Sequence, residues 1–515
     1  MPSLNVNALL PDCALPKKVG EIKINGIQLD SRQLNSGDLF IALNGQNFTA
    51  NDFINTAIES RAAAIFIEAA VFGIEWVEQI PLISLPRLRQ ETSAIAARFY
   101  HNPSASVCIT GVTGTNGKTS CTLMLAQLTA QLLGVASVIG TTGFGILNAQ
   151  ALTPLSQQIA LLTTTGLTTP DPVKLQKILS DLKEKGAAYS AIEVSSHSLD
   201  QRRVADIQFH CAIFTNLTQD HLDYHGTLEN YGAAKAKLLD ALNLKIAIIN
   251  IDDSWAASLV NKVPTGVKLY TYGLTENADI YAKNIEQHAR GTRAHLNTPW
   301  GEGVIDSPFF GLFNLSNLLS VIAAVCAQGA DFELVKGLIP QLVAAPGRLQ
   351  AINIDESQDI QVLVDYAHTP DALEKTLKAL HQHKSGRIWT LFGCGGERDK
   401  TKRPLMGRIA EKFSDYVLVT NDNPRSEDPA LIVADIVKGL QNPAGCLVIA
   451  DRAQAIDFAI AQAKTEDIIL IAGKGHEDYQ IFKDKTVPFS DSQQARLAIQ
   501  RRLAKREKEL HKEIS

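Results

Sequence analysis

Paired cysteines, an excess of basic charge and long apolar runs are all missing from this 515-residue chain, and each gap removes a class of protein. The seven cysteines, Cys13, Cys108, Cys121, Cys211, Cys326, Cys394 and Cys446, form no C-x-x-C pair. That spacing argues against a zinc site or a disulfide framework and suits a reducing compartment, so a cytoplasmic location is expected. With 49 Lys and Arg against 54 Asp and Glu, the net charge of −5 gives no electrostatic reason to expect nucleic acid or an anionic membrane as partner. No apolar run reaches the roughly 18 residues a bilayer span needs. Met1-Pro-Ser-Leu-Asn-Val6 has no basic segment ahead of an apolar stretch, so no signal peptide is expected either. Repeats and low-complexity tracts are absent too, which sets solenoids and disordered linkers aside.

What is present is ordinary in bulk, 45% hydrophobic and 20% charged, and too long for one core. The expected class is α/β in three domains, at residues 1–104, 105–345 and 346–515. The first mixes a strand after Gly37, a helix over 53–61, a strand over 63–67 and a helix over 87–100 that stops before Asn102-Pro103. The second alternates apolar strands (107–112, 135–139, 189–194, 211–217, 245–249) with amphipathic helices, which predicts a mostly parallel sheet. Its turn-rich stretch 269–308 reads as an antiparallel insertion at the edge. The third opens after Pro346-Gly347, with strands at 360–366, 388–392, 416–420, 446–450 and 467–471, a doubly wound, Rossmann-like spacing. The run 501–513 reads as a solvated helix.

The most informative string is Gly111-Val-Thr-Gly114-Thr115-Asn116-Gly117-Lys118-Thr119-Ser120. An apolar strand leads in and a helix with Leu125, Leu128 and Leu132 on one face leads out, the setting of a phosphate-binding loop. Turn N–H groups and the helix N-terminus surround phosphate oxygens; Lys118 would reach the β/γ-phosphates and Thr119 a Mg²⁺ ion. The spacing departs from G-x-x-x-x-G-K-[ST], because Val112 stands where that pattern has glycine. Downstream, Glu193-Val-Ser195-Ser-His reads either as a Mg²⁺-binding carboxylate at a strand end or as a helix-capping cluster. Asp220-His221-Leu-Asp223-Tyr-His225 packs carboxylates and imidazoles closely enough to favour metal or substrate contact.

Taken in order, Gly114-Thr-Asn-Gly-Lys-Thr, Glu193-Val-Ser-Ser-His, Asn216-Leu-Thr-Gln-Asp-His-Leu-Asp-Tyr-His, Gly311-Leu-Phe-Asn314, Pro346-Gly-Arg348 and Asp365-Tyr-Ala-His-Thr-Pro resemble the motifs of the Mur ligases along essentially the whole chain. The resemblance implies a small N-terminal UDP-binding domain, a central P-loop ATPase domain and a C-terminal Rossmann-like domain. It also implies an ATP-dependent amide ligase of peptidoglycan assembly, acting on UDP-MurNAc-L-Ala-D-Glu through an acyl phosphate. By the same resemblance, Gly114 to Ser120, Asn314, Arg348 and Asp365 would contact ATP. Thr119, Glu193, His221 and Lys235, the last as a carbamate, would bind Mg²⁺. Leu29, Ser31, Gln46, Asn47 and Phe48 would hold uridine, and Thr168, Thr169, Ser195, Gln201 and Arg203 the MurNAc-dipeptide. From the residues alone, Lys235 is an ordinary helix lysine among alanines, and Arg203 is a surface charge beside Arg202.

The Asp422-Asn423-Pro424-Arg425 turn resembles the signature of members that add meso-2,6-diaminopimelate, with Arg398, Gly473 and Glu477 as further contacts. The physics agrees, because a guanidinium fork suits the carboxylate that diaminopimelate has and lysine lacks. A helix-start turn is the plainer reading of the same residues. The alternatives are a lysine-adding ligase, another Mur-type ligase or a folylpolyglutamate-forming one. A GTPase-like switch is disfavoured, since Asn261-Lys-Val-Pro264 lacks the Asp of a guanine reader. Partners are expected to be small molecules, the protein a monomer, and the third domain to rotate about 345–347 during the reaction.

Overall fold

The computed structural model describes residues 3–45, 49–355, 357–483 and 485–514, with side chains described as far as residue 507. The chain divides into two compact units, Met1–Thr271 with Ala327–Gly329, and Tyr272–Cys326 with Ala330–Ser515.

The first unit opens with a sheet of β1 (Gly26–Gln28), β2 (Asp38–Ala42), β3 (Ala64–Glu68), β4 (Gly73–Val77) and β5 (Ile80–Leu85), in the order β1-β2-β3-β5-β4. All neighbours are parallel except β4 and β5. β2 is buried on both faces, as a parallel strand covered from two sides must be. Leu39, Ile41 and Phe66 join Leu88, Ile95 and Phe99 of helix α1 (Leu88–Phe99) in one core, while Phe40 and Ile65 point into the other.

The second sheet of this unit contains β6 (Cys108–Thr113), β7 (Ala136–Gly140), β8 (Gly143–Leu147), β9 (Tyr189–Glu193), β10 (Cys211–Phe214) and β11 (Ile246–Asn250). Their order is β8-β7-β9-β6-β10-β11. Helix α2 (Lys118–Leu132) links β6 to β7. The sheet is parallel apart from the β7–β8 pair, a hairpin that the alternating sequence pattern did not reveal. Glu193 pairs in register with Val112, and Phe214 with Thr113, so the segments following β6, β9 and β10 leave the sheet at one edge. The strand expected over 211–217 ends at Phe214, because Asn216 turns its carbonyl to the Thr115 N–H of the phosphate loop.

In the second unit, β12 (Ile280–His288), β13 (Gly291–Thr298) and β14 (Gly301–Ser307) form the expected antiparallel insertion, with an irregularity between Lys283 and Glu286. Helix α3 (Leu312–Ala327) follows. A second sheet holds β15 (Gln350–Ala351), β16 (Gln361–Asp365), β17 (Ile388–Phe392), β18 (Tyr416–Val419), β19 (Cys446–Val448) and β20 (Ile468–Ala472), ordered β15-β16-β20-β17-β18-β19 and parallel except at β15. Apolar clusters cover both of its faces. The C-terminal helix differs from expectation: it starts at Asp491, and Ala495, Ala498, Ile499 and Leu503 are core residues. Arg502 grips both oxygens of Asp359 at 3.0 and 2.8 Å. Within the run expected to be solvated, residues 501–507 are mostly exposed, but Leu503 is buried and Arg502 partly so.

Helix α4 (Pro370–His383) ends on a buried histidine with a fixed tautomer. His383 Nε2 accepts from the Gly311 N–H at 2.9 Å, so the proton sits on Nδ1, which donates to the His288 carbonyl at 2.9 Å. Burial pushes this imidazole below its ordinary value of 6.5, against the smaller opposing pull of its bond to the His288 carbonyl. The unfolded chain then binds a proton that the folded chain refuses, so stability is lost as pH falls below about 6.5. His383→Gln, which keeps an acceptor and cannot protonate, should flatten part of that acid limb. Urea midpoints measured from about pH 7.5 down to about pH 5 would show it.

Candidate active site

Backbone geometry at the end of β6 leaves room for nothing but glycine. Gly114 has φ 143°, and a Cβ there would lie 1.9 Å from Thr215 Oγ1; Gly117, which caps α2, has φ 88°. The loop is tied to the segment after β10. The Thr115 N–H donates to the Asn216 carbonyl at 2.8 Å, the Asn116 N–H to Asn216 Oδ1 at 2.9 Å, and Thr215 Oγ1 to the Asn116 carbonyl at 2.6 Å. Lys118 folds back over the loop, donating to the carbonyls of Gly114 and Thr115 at 2.8 and 2.9 Å. Thr119 and Ser120 lie in the first turn of α2, where free N–H groups and the helix dipole favour an anion.

Glu193, at the end of β9 and 1% exposed, organises the neighbourhood. Its Oε2 accepts from Thr119 Oγ1 at 3.0 Å, and its Oε1 from the Thr141 N–H at 2.8 Å. Thr141 Oγ1 lies 3.1 Å from both Glu193 Oε2 and Thr168 Oγ1. Thr169 Oγ1 donates to the Glu193 carbonyl at 2.7 Å and receives the Ser195 N–H at 3.1 Å. Ser195 also caps the short helix Ser196–Asp200, as the capping reading expects. Arg203 is no loose surface charge: it donates to the Thr169 carbonyl at 2.9 Å and through Nε to Gln201 Oε1 at 3.0 Å. Thr119, Thr168, Thr169, Glu193, Ser195, Gln201 and Arg203 thus form one hydrogen-bonded group. Thr141, its bridge, carried no sequence signal beyond the Gly140-Thr-Thr-Gly143 turn.

Lys235 reaches the same loop from helix Leu228–Ala236. It is 1% exposed, donates to the Gly114 carbonyl at 2.8 Å and lies 4.4 Å from the Tyr231 ring. Burial pushes its pKa well below that of a free lysine, and Lys118 pushes it further. His221 holds a left-handed backbone (φ 52°) and stands with its ring 4.9 Å from that of His197. His225 bonds Ser196 Oγ at 3.0 Å. Burial lowers the pKa of both His197 and His225, and the neighbouring imidazoles add to the effect.

The remaining nucleotide candidates lie in the second unit. Asn314, on α3, donates to the Phe310 carbonyl at 2.9 Å. His383 accepts from the N–H of that same Phe310–Gly311 peptide, so the imidazole and the amide fix one peptide plane between them. Arg348 stacks on Tyr366 at 4.9 Å. Asp365 is buried, its oxygens filled by the Leu349 N–H at 2.9 Å and Thr376 Oγ1 at 3.0 Å; burial raises its pKa against the pull of those bonds and of Arg348.

The Asp422–Arg425 turn follows β18 and is no helix start, since the next helix, Pro429–Val437, is capped by Asp428. Arg425, in a left-handed conformation (φ 54°), pairs its backbone with Ile481 and Lys483 and donates from Nη1 to the Gly396 carbonyl at 2.8 Å. Asp422 accepts the Asn423 N–H at 2.7 Å. Gly473 has φ 112°, and a Cβ there would lie 3.0 Å from Asp422 Oδ2. Glu477 Oε2 accepts from Asn423 Nδ2 at 3.0 Å and from Lys474 Nζ at 3.0 Å. Pro424 is buried behind this turn, whereas Arg398 is exposed on the loop after β17. Lys474 escaped sequence reading because Gly-Lys-Gly looks like solvated loop. In the N-terminal sheet, Ser31 is buried just after β1 and Leu29 packs on the core. Gln46, Asn47 and Phe48 lie outside the described residues.

Comparison with known proteins adds the following. Residues 23–100 match the model of the Mur ligase family catalytic domain, 112–325 the Mur ligase middle domain, and 347–475 the Mur ligase glutamate ligase domain. A UDP-N-acetylmuramoyl-L-alanyl-D-glutamate–2,6-diaminopimelate ligase of Coxiella burnetii is 42% identical over 485 residues, covering 93% of this chain and 96% of that protein. The same-named ligase of Ectopseudomonas mendocina is 44% identical over 486 residues, 94% and 97%. A solved structure of a ligase of that name superposes with TM-score 0.72 at 36% identity, covering 97% of this chain and 99% of the other.

Gly114→Ala tests the loop directly. The added carbon collides with Thr215 Oγ1 and meets an unfavourable φ. Affinity for a triphosphate analogue should fall about tenfold or more by calorimetry, while far-UV circular dichroism stays native.

Proposed function

The chain belongs to the Mur ligase family, and from that membership and the geometry above we infer that it joins meso-2,6-diaminopimelate to the γ-carboxylate of D-Glu in UDP-MurNAc-L-Ala-D-Glu, using ATP. The observation that carries the choice of amine is Arg425. Among the described residues it meets only backbone carbonyls, those of Gly396 at 2.8 Å and Asn423 at 3.4 Å, and no carboxylate. A guanidinium so placed is a partner for the distal acid group of the incoming amine. Lysine would leave it unanswered, and such unpaired polar groups underlie large discrimination.

The chemistry must turn an unreactive carboxylate into an electrophile. The γ-carboxylate oxygen attacks the γ-phosphorus of ATP, the β–γ bridging bond breaks, and ADP leaves. The amine then attacks the acyl phosphate carbon, the tetrahedral intermediate loses a proton, and the C–O bond to phosphate breaks to leave the amide. Gly114 to Ser120 would hold the phosphates, with Lys118 offsetting charge on the β/γ oxygens. Asn314, Arg348 and Asp365 would complete the nucleotide site, Arg348 as a phosphate partner. Leu29 and Ser31, with Gln46, Asn47 and Phe48, would take uridine, and Thr168, Thr169, Ser195, Gln201 and Arg203 the MurNAc-dipeptide. Arg398, Asp422, Asn423, Pro424, Gly473 and Glu477 would surround the diaminopimelate with Arg425.

Magnesium fits these residues. The buried Glu193 carboxylate stands at hydrogen-bond distance from the Thr119 and Thr141 hydroxyls, a hard-oxygen set of the kind that small divalent cations prefer. Thr119 and Glu193 would hold one ion, and His221 with Lys235 as a carbamate a second. Bound there, magnesium would neutralise charge on the transferring phosphoryl group. Lys235 suits carbamylation because burial favours its neutral amine, and a carbamate keeps one N–H for the Gly114 carbonyl.

The deciding assay supplies ATP, UDP-MurNAc-L-Ala-D-Glu and equal diaminopimelate and lysine, then weighs the products. Diaminopimelate product should dominate by about a hundredfold or more. Arg425→Met should lower that ratio by at least about tenfold while leaving the KM for ATP unchanged. A mainly lysine product would overturn the reading.

A further inference from the structure

Lys474 has no exposed surface, and its ammonium is engaged by two side chains. Nζ lies 3.1 Å from Asn423 Oδ1 and 3.0 Å from Glu477 Oε2. Asn423 Nδ2 in turn donates to Glu477 Oε2 at 3.0 Å, which closes a ring of three hydrogen bonds among the three residues. The ring decides which way the Asn423 amide faces. Two donors, Lys474 Nζ and the Ile481 N–H at 3.1 Å, converge on one end of the amide, so that end must be the oxygen. The NH₂ is thereby placed at the other end with one hydrogen on Glu477 and a second one left over. Glu477 is divided in the same way: Oε2 takes both bonds of the ring, and Oε1 takes none of them.

We propose that Lys474 is a specificity-determining positioning residue of the amino-acid site. By fixing the Asn423 amide and occupying one Glu477 oxygen, it presents one N–H donor for a carboxylate and one carboxylate oxygen for an ammonium. A diamino dicarboxylate needs both polarities side by side. This inference rests on the reading of the Asp422–Arg425 turn given above and extends it to a residue that would act through Asn423 and Glu477. Lacking Lys474, the amide loses one of the two donors that select its oxygen and is held only by the Ile481 N–H and by Glu477, so rotation by half a turn becomes less costly. A flipped amide would offer a carbonyl to the substrate carboxylate, and Glu477 would keep a full charge with two open oxygens. Lysine, which brings ammonium groups and a single carboxylate, loses less from that change than diaminopimelate does.

The test uses the whole chain with Lys474→Met, which keeps the stem and removes the donors, assayed beside wild type with diaminopimelate and lysine in competition. The KM for diaminopimelate should rise about tenfold or more, and the diaminopimelate-to-lysine product ratio should fall by a similar factor. The KM values for ATP and the UDP-linked substrate should stay within about twofold, and cooperative urea unfolding should persist. Should the methionine variant not fold, Lys474→Gln, which retains polarity without charge, carries the same criteria. An unchanged ratio and KM for diaminopimelate would overturn the proposal, and so would a uniform rise in the KM of all three substrates. Wild type separates the two levels of inference. If wild type itself ignores diaminopimelate, the assigned reaction fails; if wild type prefers it and the variant prefers it equally, only the role of Lys474 fails.

Discussion

A single buried carboxylate sets the terms for the catalytic half of this molecule. Glu193 sits at the end of β9 with 1% of its surface exposed, a position that is costly for a charge unless its oxygens are filled. They are filled by groups from two other elements, the Thr119 hydroxyl at the start of α2 and the Thr141 N–H after β7. Gly140 is part of the same requirement, because a side chain there would lie 2.2 Å from Glu193 Oε1. Parallel pairing of β9 between β6 and β7 makes this possible, since only that order brings both neighbouring strand ends to one carboxylate. The threonines that would meet the UDP-linked substrate hang from the backbone of the same residue. Moving Glu193 would therefore disturb the glycine-rich loop and the residues proposed for metal and acceptor together.

The amino-acid site follows a different rule, in which backbone conformation does what burial does around Glu193. Arg425 and Gly473 both have positive φ, and Arg425 is held there by bonds to Ile481 and Lys483. A left-handed arginine is strained in isolation. The pairing with the strand Tyr479–Phe482 compensates, and leaves the side chain directed by the Gly396 carbonyl instead of by an acidic partner. The buried Arg403 ties Glu427 and Asp435 together behind this loop at 3.0 and 3.1 Å, so those two carboxylates are already engaged by another arginine.

Where the chain repeats a local pattern, its sequence was readable. Apolar runs five or six residues long, separated by amphipathic helices, located the strands of both parallel sheets to within a few residues. The glycine-rich turn at 114–117 announced itself because strand, turn and helix are all local. What escaped depended on contacts distant in the chain. The strand expected to reach Leu217 stopped at Phe214 because the phosphate loop, a hundred residues upstream, claims the Asn216 carbonyl. The C-terminal helix looked solvated because its core residues are two alanines, one isoleucine and one leucine, too weak a stripe to stand out against so many charges. Thr141 and His383 act through hydrogen bonds that include Glu193 and Gly311, 52 and 72 residues away, and no periodicity encodes those.

Lys235 and Lys474 show how far such contacts decide chemistry. Both are lysines with almost no exposed surface, one in an alanine-rich helix and one between glycines. Around Lys235 are a carbonyl oxygen, the face of Tyr231 and the positive charge of Lys118, surroundings that favour the neutral amine and so a nucleophile towards carbon dioxide. Around Lys474 are a carboxylate and an amide oxygen, which engage an ammonium as an ion pair and make it a spacer between two recognition groups. Exchanging the two neighbourhoods would exchange the roles. The side chain supplies only a nitrogen on a flexible stem, and the elements packed around it determine whether that nitrogen is favoured as a neutral amine or held as a cation between its neighbours.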